Sequence, residues 1–295
     1  MQIQLGILLG LGTVVLWGIG DFYAALLCRR YGIQRTLLWT QFLALGLAAF
    51  PALLGLWDKG ALNLFSSTPS LVLLGGLGAI QAVSYVAFYK GMAEGVVSVV
   101  SPLSASWAFI ALLWAWLVWQ EQLSRWQYAG VVLLLVGIIL TALQLTEVKK
   151  LTSLQLTKGT IEGLIAMLLW GISFTALVPL TRQWGWYLPV MLMRFFAFAF
   201  LLFFFALLPR FLAVPRTFSL PFLSFSVVAV CDIGGVFCYS EGVRSSLASI
   251  VAPVASAFPL ITVLLAHFAL REKIAVTQKI GIAGVITGLI LLARG

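Results

Sequence analysis

The sequence predicts an all-α membrane protein of ten transmembrane helices, arranged as two inverted five-helix repeats. Three observations lead there. Of 295 residues, 62% are hydrophobic and only 9% are charged, whereas a soluble domain carries roughly a quarter charged residues. Apolar runs of the length that crosses a ~30 Å hydrocarbon core, about 20 residues, can be counted ten times along the chain. The second half then repeats the first in a fixed register. The net charge of 18 − 9 = +9 is scattered between apolar runs and forms no clustered basic footprint, which excludes nucleic-acid binding. The three cysteines, Cys28, Cys231 and Cys238, give neither a disulfide framework nor zinc spacing.

Punctuated by Pro, Gly and charged residues, the expected spans are Leu5–Cys28, Thr36–Trp57, Pro69–Tyr89, Val97–Trp119, Trp126–Thr146, Thr160–Thr181, Leu188–Leu208, Leu220–Ser240, Leu247–Leu270 and Val276–Leu292. The first keeps its place as helix one, because Met1-Gln-Ile-Gln has no basic n-region and the apolar stretch is too long for a cleaved signal. A β-barrel is ruled out by pattern: barrel strands alternate apolar and polar residues, whereas Phe195–Leu208 is apolar on every face. The connections are short, leaving no room for a soluble domain between spans. The domain boundaries that follow are 5–146 for the first repeat, 147–159 for a linker and 160–293 for the second repeat.

The duplication is direct. Gly91, Ser98, Pro102, Glu121, Gln127, Gly130 and Gly137 recur as Gly242, Ser249, Pro253, Glu272, Gln278, Gly281 and Gly288, each 151 residues later. Leu16-Trp17-Gly18-Ile19 recurs as Leu169-Trp170-Gly171-Ile172 at an offset of 153. Because each half holds an odd number of spans, the halves cross the membrane in opposite senses. Inverted repeats about an axis in the membrane plane are a recurrent architecture of secondary transporters.

Each half thus carries Trp-Gly in its first helix, then a polar turn, a helix with Ser-Pro near its start, a following Glu, and a Gln-x-x-Gly helix. This pattern, over Gly91–Gly137 and Gly242–Gly288, resembles the EamA repeat of the drug/metabolite transporter superfamily. The resemblance spans nearly the whole chain. It implies a central cavity between the halves, and export or exchange of small metabolites or drugs by alternating access. The motifs specify the scaffold, not the cargo.

The function expected is therefore secondary-active transport of a small organic metabolite or drug across a cell (inner or plasma) membrane, with a lipid flippase or scramblase as the alternative. Partners are the bilayer and a small-molecule substrate, with protons as a candidate coupling ion and a monomer as the working unit, a dimer being the alternative. No cofactor or metal is expected. A phosphate-cradling Gly-Lys-Ser/Thr loop is absent from the sequence, so ATP is not the direct fuel, and no set of catalytic residues is apparent. Orientation is open: loops after odd-numbered spans hold 12 basic residues against 5 on the other side. That count puts both termini outside, while the resemblance implies both in the cytoplasm.

Ionisable groups in mid-membrane are costly and face a cavity or a partner. Asp21, Arg194 and Asp232 stand out. Arg194 and Asp232 lie on neighbouring spans and can pair, either to fix packing or to line the path; the place matching Arg194 in the first half is Gln41. Asp21 continues a small-and-polar stripe, Gly6, Gly10, Thr13, Trp17 and Asp21, at helical spacing. Its repeat mate is Phe174. Gln81 and Asp232 match at the 151 offset, with Tyr85 and Tyr239 on the same helix faces, and Trp17 matches Trp170. The candidate cavity set is Trp17, Asp21, Gln81, Tyr85, Trp170, Arg194, Asp232 and Tyr239. The competing reading for the aromatics is plain packing or an interfacial belt. Pro102 and Pro253 are candidate hinges, since each frees the carbonyl four residues earlier, on Ser98 and Ser249. Glu121 and Glu272 are expected as helix-end anchors at the membrane surface. Gly284 and Gly288 form a small-xxx-small pair for close helix contact.

Overall fold

The computed structural model describes residues 2–55, 59–142, 158–206, 222–271 and 274–294. Every regular element among them is helical, as lipid demands: without water in the bilayer core, the backbone must satisfy its own hydrogen bonds. In chain order the helices are α1 (Gln2–Tyr31), α2 (Ile33–Ala48), α3 (Phe50–Leu53), α4 (Thr68–Glu94), α5 (Val97–Ala105), α6 (Ala108–Leu117) and α7 (Arg125–Ala142) in the first half. The second half holds α8 (Thr160–Trp184), α9 (Leu188–Ala206), α10 (Phe222–Ser245), α11 (Ala248–Ala255), α12 (Pro259–Leu270) and α13 (Val276–Arg294). Taking α2–α3, α5–α6 and α11–α12 as single broken spans, nine stretches among the described residues are long and apolar enough to cross a membrane. The stretch Arg125–Thr141 is a shorter tenth. The expected ends at Trp57, Thr146, Leu208 and Leu220, and the linker 147–159 up to Thr157, lie outside the described residues.

The repeat is visible in the backbone. Gly32 (φ 86°) turns α1 into α2, and Gly185 (φ 83°), 185 − 32 = 153 residues on, turns α8 into α9. Positive φ is open to glycine at no steric cost. Among the described residues two non-glycines also adopt it, Gln120 (φ 51°) and Arg271 (φ 56°), and 271 − 120 = 151. Each immediately precedes the Glu of its repeat. A strained conformation kept at both equivalent corners is one that the surrounding structure holds in place.

The opposite sense of the halves is read from paired glycines. In α7 and α13, Gly130 lies against Gly288 and Gly137 against Gly281, so one number rises as the other falls. A Cβ on Gly281 would meet the Gly137 carbonyl at 2.5 Å, and one on Gly130 would meet the Gly288 carbonyl at 2.9 Å. These helices are antiparallel at backbone contact, and the contact is isologous, as a two-fold axis requires. Gly288 is thus used inside the chain. The small-residue stripe of α1 faces protein as its composition suggests: Gly6, Gly10 and Gly18 pack against α11 and α12 at Val251, Val254 and Ile261. Their repeat mates Gly163 and Gly171 pack against Leu103 and Ile110. The first span of each half therefore beds on the broken span of the other. Cys231 and Cys238 act as small packing residues, facing Gly20 and Gly12 of α1.

Pro102 and Pro253 sit inside α5 and α11, and the chain breaks a turn later, before α6 and α12. The carbonyl that Pro102 frees does not line an open path. Ser98 O accepts a hydrogen bond from Gln278 Nε2 at 3.0 Å, while Gln278 Oε1 accepts from Ala275 N at 2.9 Å at the start of α13. The Gln of the Gln-x-x-Gly motif therefore caps its own helix and braces the broken helix of the opposite repeat.

Candidate functional site: a cavity on the repeat axis

Between the halves lies a small cavity of about 30 Å³ lined by Trp17, Asp21, Tyr85, Trp107, Trp170, Phe174, Asp232 and Phe258. Its frame is symmetric: Trp17 pairs with Trp170 at the 153 offset and Trp107 with Phe258 at 151. The rings brace one another edge-on or tilted, with Trp17 5.8 Å from Phe258 and 5.3 Å from Phe174, Trp107 4.9 Å from Phe174, and Tyr85 5.8 Å from Trp170. Such offsets are the arrangements that aromatic quadrupoles favour. A second small space of about 20 Å³ continues from the same carboxylates past Gly20, Ala24, Tyr89 and Val228. It follows the later residues of α1 and α4 and the earlier ones of α10, toward the side of the loops after odd-numbered spans.

Charge enters where the symmetry is broken. Asp232, on α10, stands where the first half has Gln81, and Arg194, on α9, stands where it has Gln41. Arg194 holds Asp232 in a two-pronged pair, Nη1 to Oδ2 and Nη2 to Oδ1, both 2.9 Å. Tyr85 OH donates to Oδ1 at 2.7 Å and Gln41 Nε2 to Oδ2 at 3.2 Å, while Arg194 Nη1 also reaches Gln41 Oε1 at 3.1 Å. The guanidinium lies 5.0 Å from the Tyr85 ring centre. Arg194 is 2% exposed and Asp232 12%. A pair this buried is tolerated because each charge has its partner and added hydrogen bonds. Trp17 Nε1 donates to the Asp232 carbonyl at 3.3 Å, and Thr13 Oγ1 to the Gly235 carbonyl at 3.1 Å, fixing α1 to α10.

Gln81 does related work without charge. Its Oε1 accepts from Trp170 Nε1 and its Nε2 donates to Ser173 Oγ, both at 3.1 Å. Asp21 borders both cavities, as do Trp17, Tyr85 and Asp232, but its Oδ2 is buried with no hydrogen-bond partner.

Of the eight residues expected around a cavity, Trp17, Asp21, Tyr85, Trp170 and Asp232 line the central one. Gln81, Arg194 and Tyr239 stand behind it, holding the lining. Tyr239 is fully buried and stacks beneath Trp17, Trp107 and Phe174. Sequence reasoning passed over Trp107, Phe174 and Phe258. The signal for two of them was present, since Trp107 and Phe258 are an aromatic pair at the 151 offset, five residues beyond each proline.

Glu121 follows α6, but its carboxylate is turned into the protein, 6% exposed, instead of anchoring at the membrane surface. It accepts from Ser249 N at 2.8 Å, Ser249 Oγ at 2.7 Å and Ala248 N at 3.2 Å, capping α11 of the opposite repeat, and it pairs with Arg182 Nη2 at 2.8 Å. The physical reason is the helix N-terminus, whose free N–H groups and positive dipole end attract a carboxylate. Arg182 also donates to the Val243 and Ser246 carbonyls, tying the end of α8 to the corner between α10 and α11. Its repeat mate Arg29 donates to the Gly95 carbonyl at 2.9 Å, tying the end of α1 to the corner between α4 and α5. Glu272 lies outside the described residues. No group of three or more His, Cys, Asp or Glu residues able to hold a metal ion occurs among the described residues.

The sequence pattern of the EamA-like transporter family matches residues 4–143 and 157–294, one copy per half. No curated protein matches the chain. A solved crystal structure 14% identical in sequence aligns over 98% of this chain and 96% of its own, with a TM-score of 0.65; at that identity it attests the fold alone.

Proposed function

The chain belongs to the EamA-like transporter family, and from that premise we propose that it is a secondary-active transporter exporting or exchanging a small organic metabolite or drug. It is an integral multi-pass membrane protein; the cell membrane is its proposed location and the monomer its proposed unit. The repeats act as units with boundaries near 5–146 and 160–293. The observation that carries this reading is the central cavity, which sits where the inverted halves meet and is lined from both by repeat-mate residues. A site on the axis can face either side when one half rocks against the other.

In the conformation described, the corner at Glu121 and Arg182 is latched. Transport then requires that latch to open and the equivalent corner of the other half to close. The broken spans are the proposed moving parts, with Pro102 and Pro253 as hinges. Asp21 is the proposed proton carrier, because Asp232 is already held by four hydrogen bonds. The test is efflux and counterflow in proteoliposomes made with the purified chain and loaded with mixed organic solutes. Solute movement that Cys cross-linking of positions 121 and 249 stops and reductant restores supports alternating access. Lipid movement without solute movement would replace this reading with a flippase.

A further inference from the structure

We infer that the central cavity is built for an organic cation, a small amine or quaternary ammonium carrying an apolar group. This rests on the transport reading and names its substrate class. Four observations converge on it. The cavity wall is largely aromatic, with Trp17, Trp107 and Trp170 among its residues, and the face of an aromatic ring attracts a cation. Two carboxylates border the cavity, Asp21 and Asp232. Only one is paired: Arg194 holds Asp232, while Asp21 Oδ2 is buried without a hydrogen-bond partner. A carboxylate oxygen in such a place gains most from a cation that arrives with the substrate.

The fourth observation excludes the main competitors, zwitterions and anions. These need a charged donor facing the ligand, and Arg194 borders neither cavity, its two terminal nitrogens being spent on Asp232 and Gln41. The neutral donors are spent as well: Trp17 on the Asp232 carbonyl, Trp170 on Gln81 and Tyr85 on Asp232. Among the lining donors, only Trp107 Nε1 is left without a partner, and a single indole N–H does not neutralise an anion. The space of about 30 Å³ is well below the range of small-molecule sites, so binding requires the aromatic wall to open around the ligand. The Asp21 position is Phe174 in the other half, so the feature that sets the charge preference is present once.

The experiment compares four probes of similar shape on the purified chain in lipid nanodiscs, using equilibrium binding read by tryptophan fluorescence and calorimetry. They are benzyltrimethylammonium, its neutral isostere neopentylbenzene, phenylalanine as zwitterion and 3-phenylpropionate as anion. The expected result is that the cation binds at least ~10-fold more tightly than the isostere, with the zwitterion and anion weaker still. Asp21→Asn is expected to erase the preference for the cation, and Asp21→Glu to retain part of it. Monodisperse elution and an unchanged melting temperature identify a folded Asn variant; should it misfold, the probe ranking on the unaltered chain decides alone. Equal binding of cation and isostere, tighter binding of the anion or zwitterion, or no binding of the cation overturns the proposal. Proteoliposome efflux of mixed solutes is run in parallel. Movement of non-cationic solutes alone sinks the cation assignment and leaves the transport reading standing, while no movement of any solute sinks the transport reading itself.

Discussion

Replacing Asp232 by Asn should be among the more damaging single changes in this chain, and the structure sets the scale. Asp232 accepts four hydrogen bonds, two of them from a guanidinium that is 2% exposed. Asn removes the negative charge and leaves Arg194 buried opposite a dipole. Breaking one side of a buried pair costs about 3–5 kcal/mol, which corresponds to a fall in melting temperature of roughly 5–8 °C in a chain of this size. Arg194→Gln should cost a similar amount by stranding Asp232. The repeat suggests the compensating change, because the first half keeps glutamine at both places, Gln41 and Gln81. The double variant Arg194→Gln/Asp232→Gln therefore restores a neutral, hydrogen-bonding pair. It is expected to be more stable than the sum of the two losses by about 2 kcal/mol, within the range for residues in contact. Thermal unfolding in nanodiscs, followed by tryptophan fluorescence, measures all four corners of the cycle. Single variants within ~1 kcal/mol of the parent, or a double variant no better than the sum of the singles, would refute the claim that this ion pair is a coupled, desolvated unit.

Three further outcomes follow from the same packing. Glu121→Ala leaves the α11 N-terminus uncapped and Arg182 without its carboxylate, at a cost of about 1–2 kcal/mol; hydrogen exchange should show early loss of protection at the Ala248 and Ser249 amides. Gln278→Leu strips the brace from the Ser98 carbonyl, a loss of about 1–3 kcal/mol. Adding Pro102→Ala should recover part of it, since that substitution restores a backbone N–H able to donate to the same carbonyl, and melting curves of the two variants test this. Gly281→Ala places a methyl 2.5 Å from the Gly137 carbonyl and should force α7 and α13 apart at about 1–3 kcal/mol, visible as faster unfolding and slower cross-linking between those helices.

Sequence alone determined the scaffold. Length, apolar runs and a repeat at offsets of 151 and 153 residues yield ten spans in two inverted halves, because lipid leaves a backbone of this hydrophobicity no option but helices, and an odd count per half forces inversion. It also picked out most of the cavity, since charge on an apolar helix is hard to hide: Asp21, Asp232 and Arg194 stood out from the composition of their own segments. Tertiary structure alone decided which of these groups are spent. Asp232 and Arg194 consume one another's charge and Gln81 is taken up by Trp170, while Asp21 Oδ2 stays without a hydrogen-bond partner, and no local pattern reports such pairing across 38 or 89 residues of chain. The same holds for Trp107, Phe174 and Phe258, which read as ordinary bundle aromatics until the axis brings them to a common wall. Glu121 and Gln278 looked like surface and helix-start residues. Their inward roles come from helix termini and a proline-freed carbonyl on the opposite repeat, contacts that exist only once the two halves are folded together.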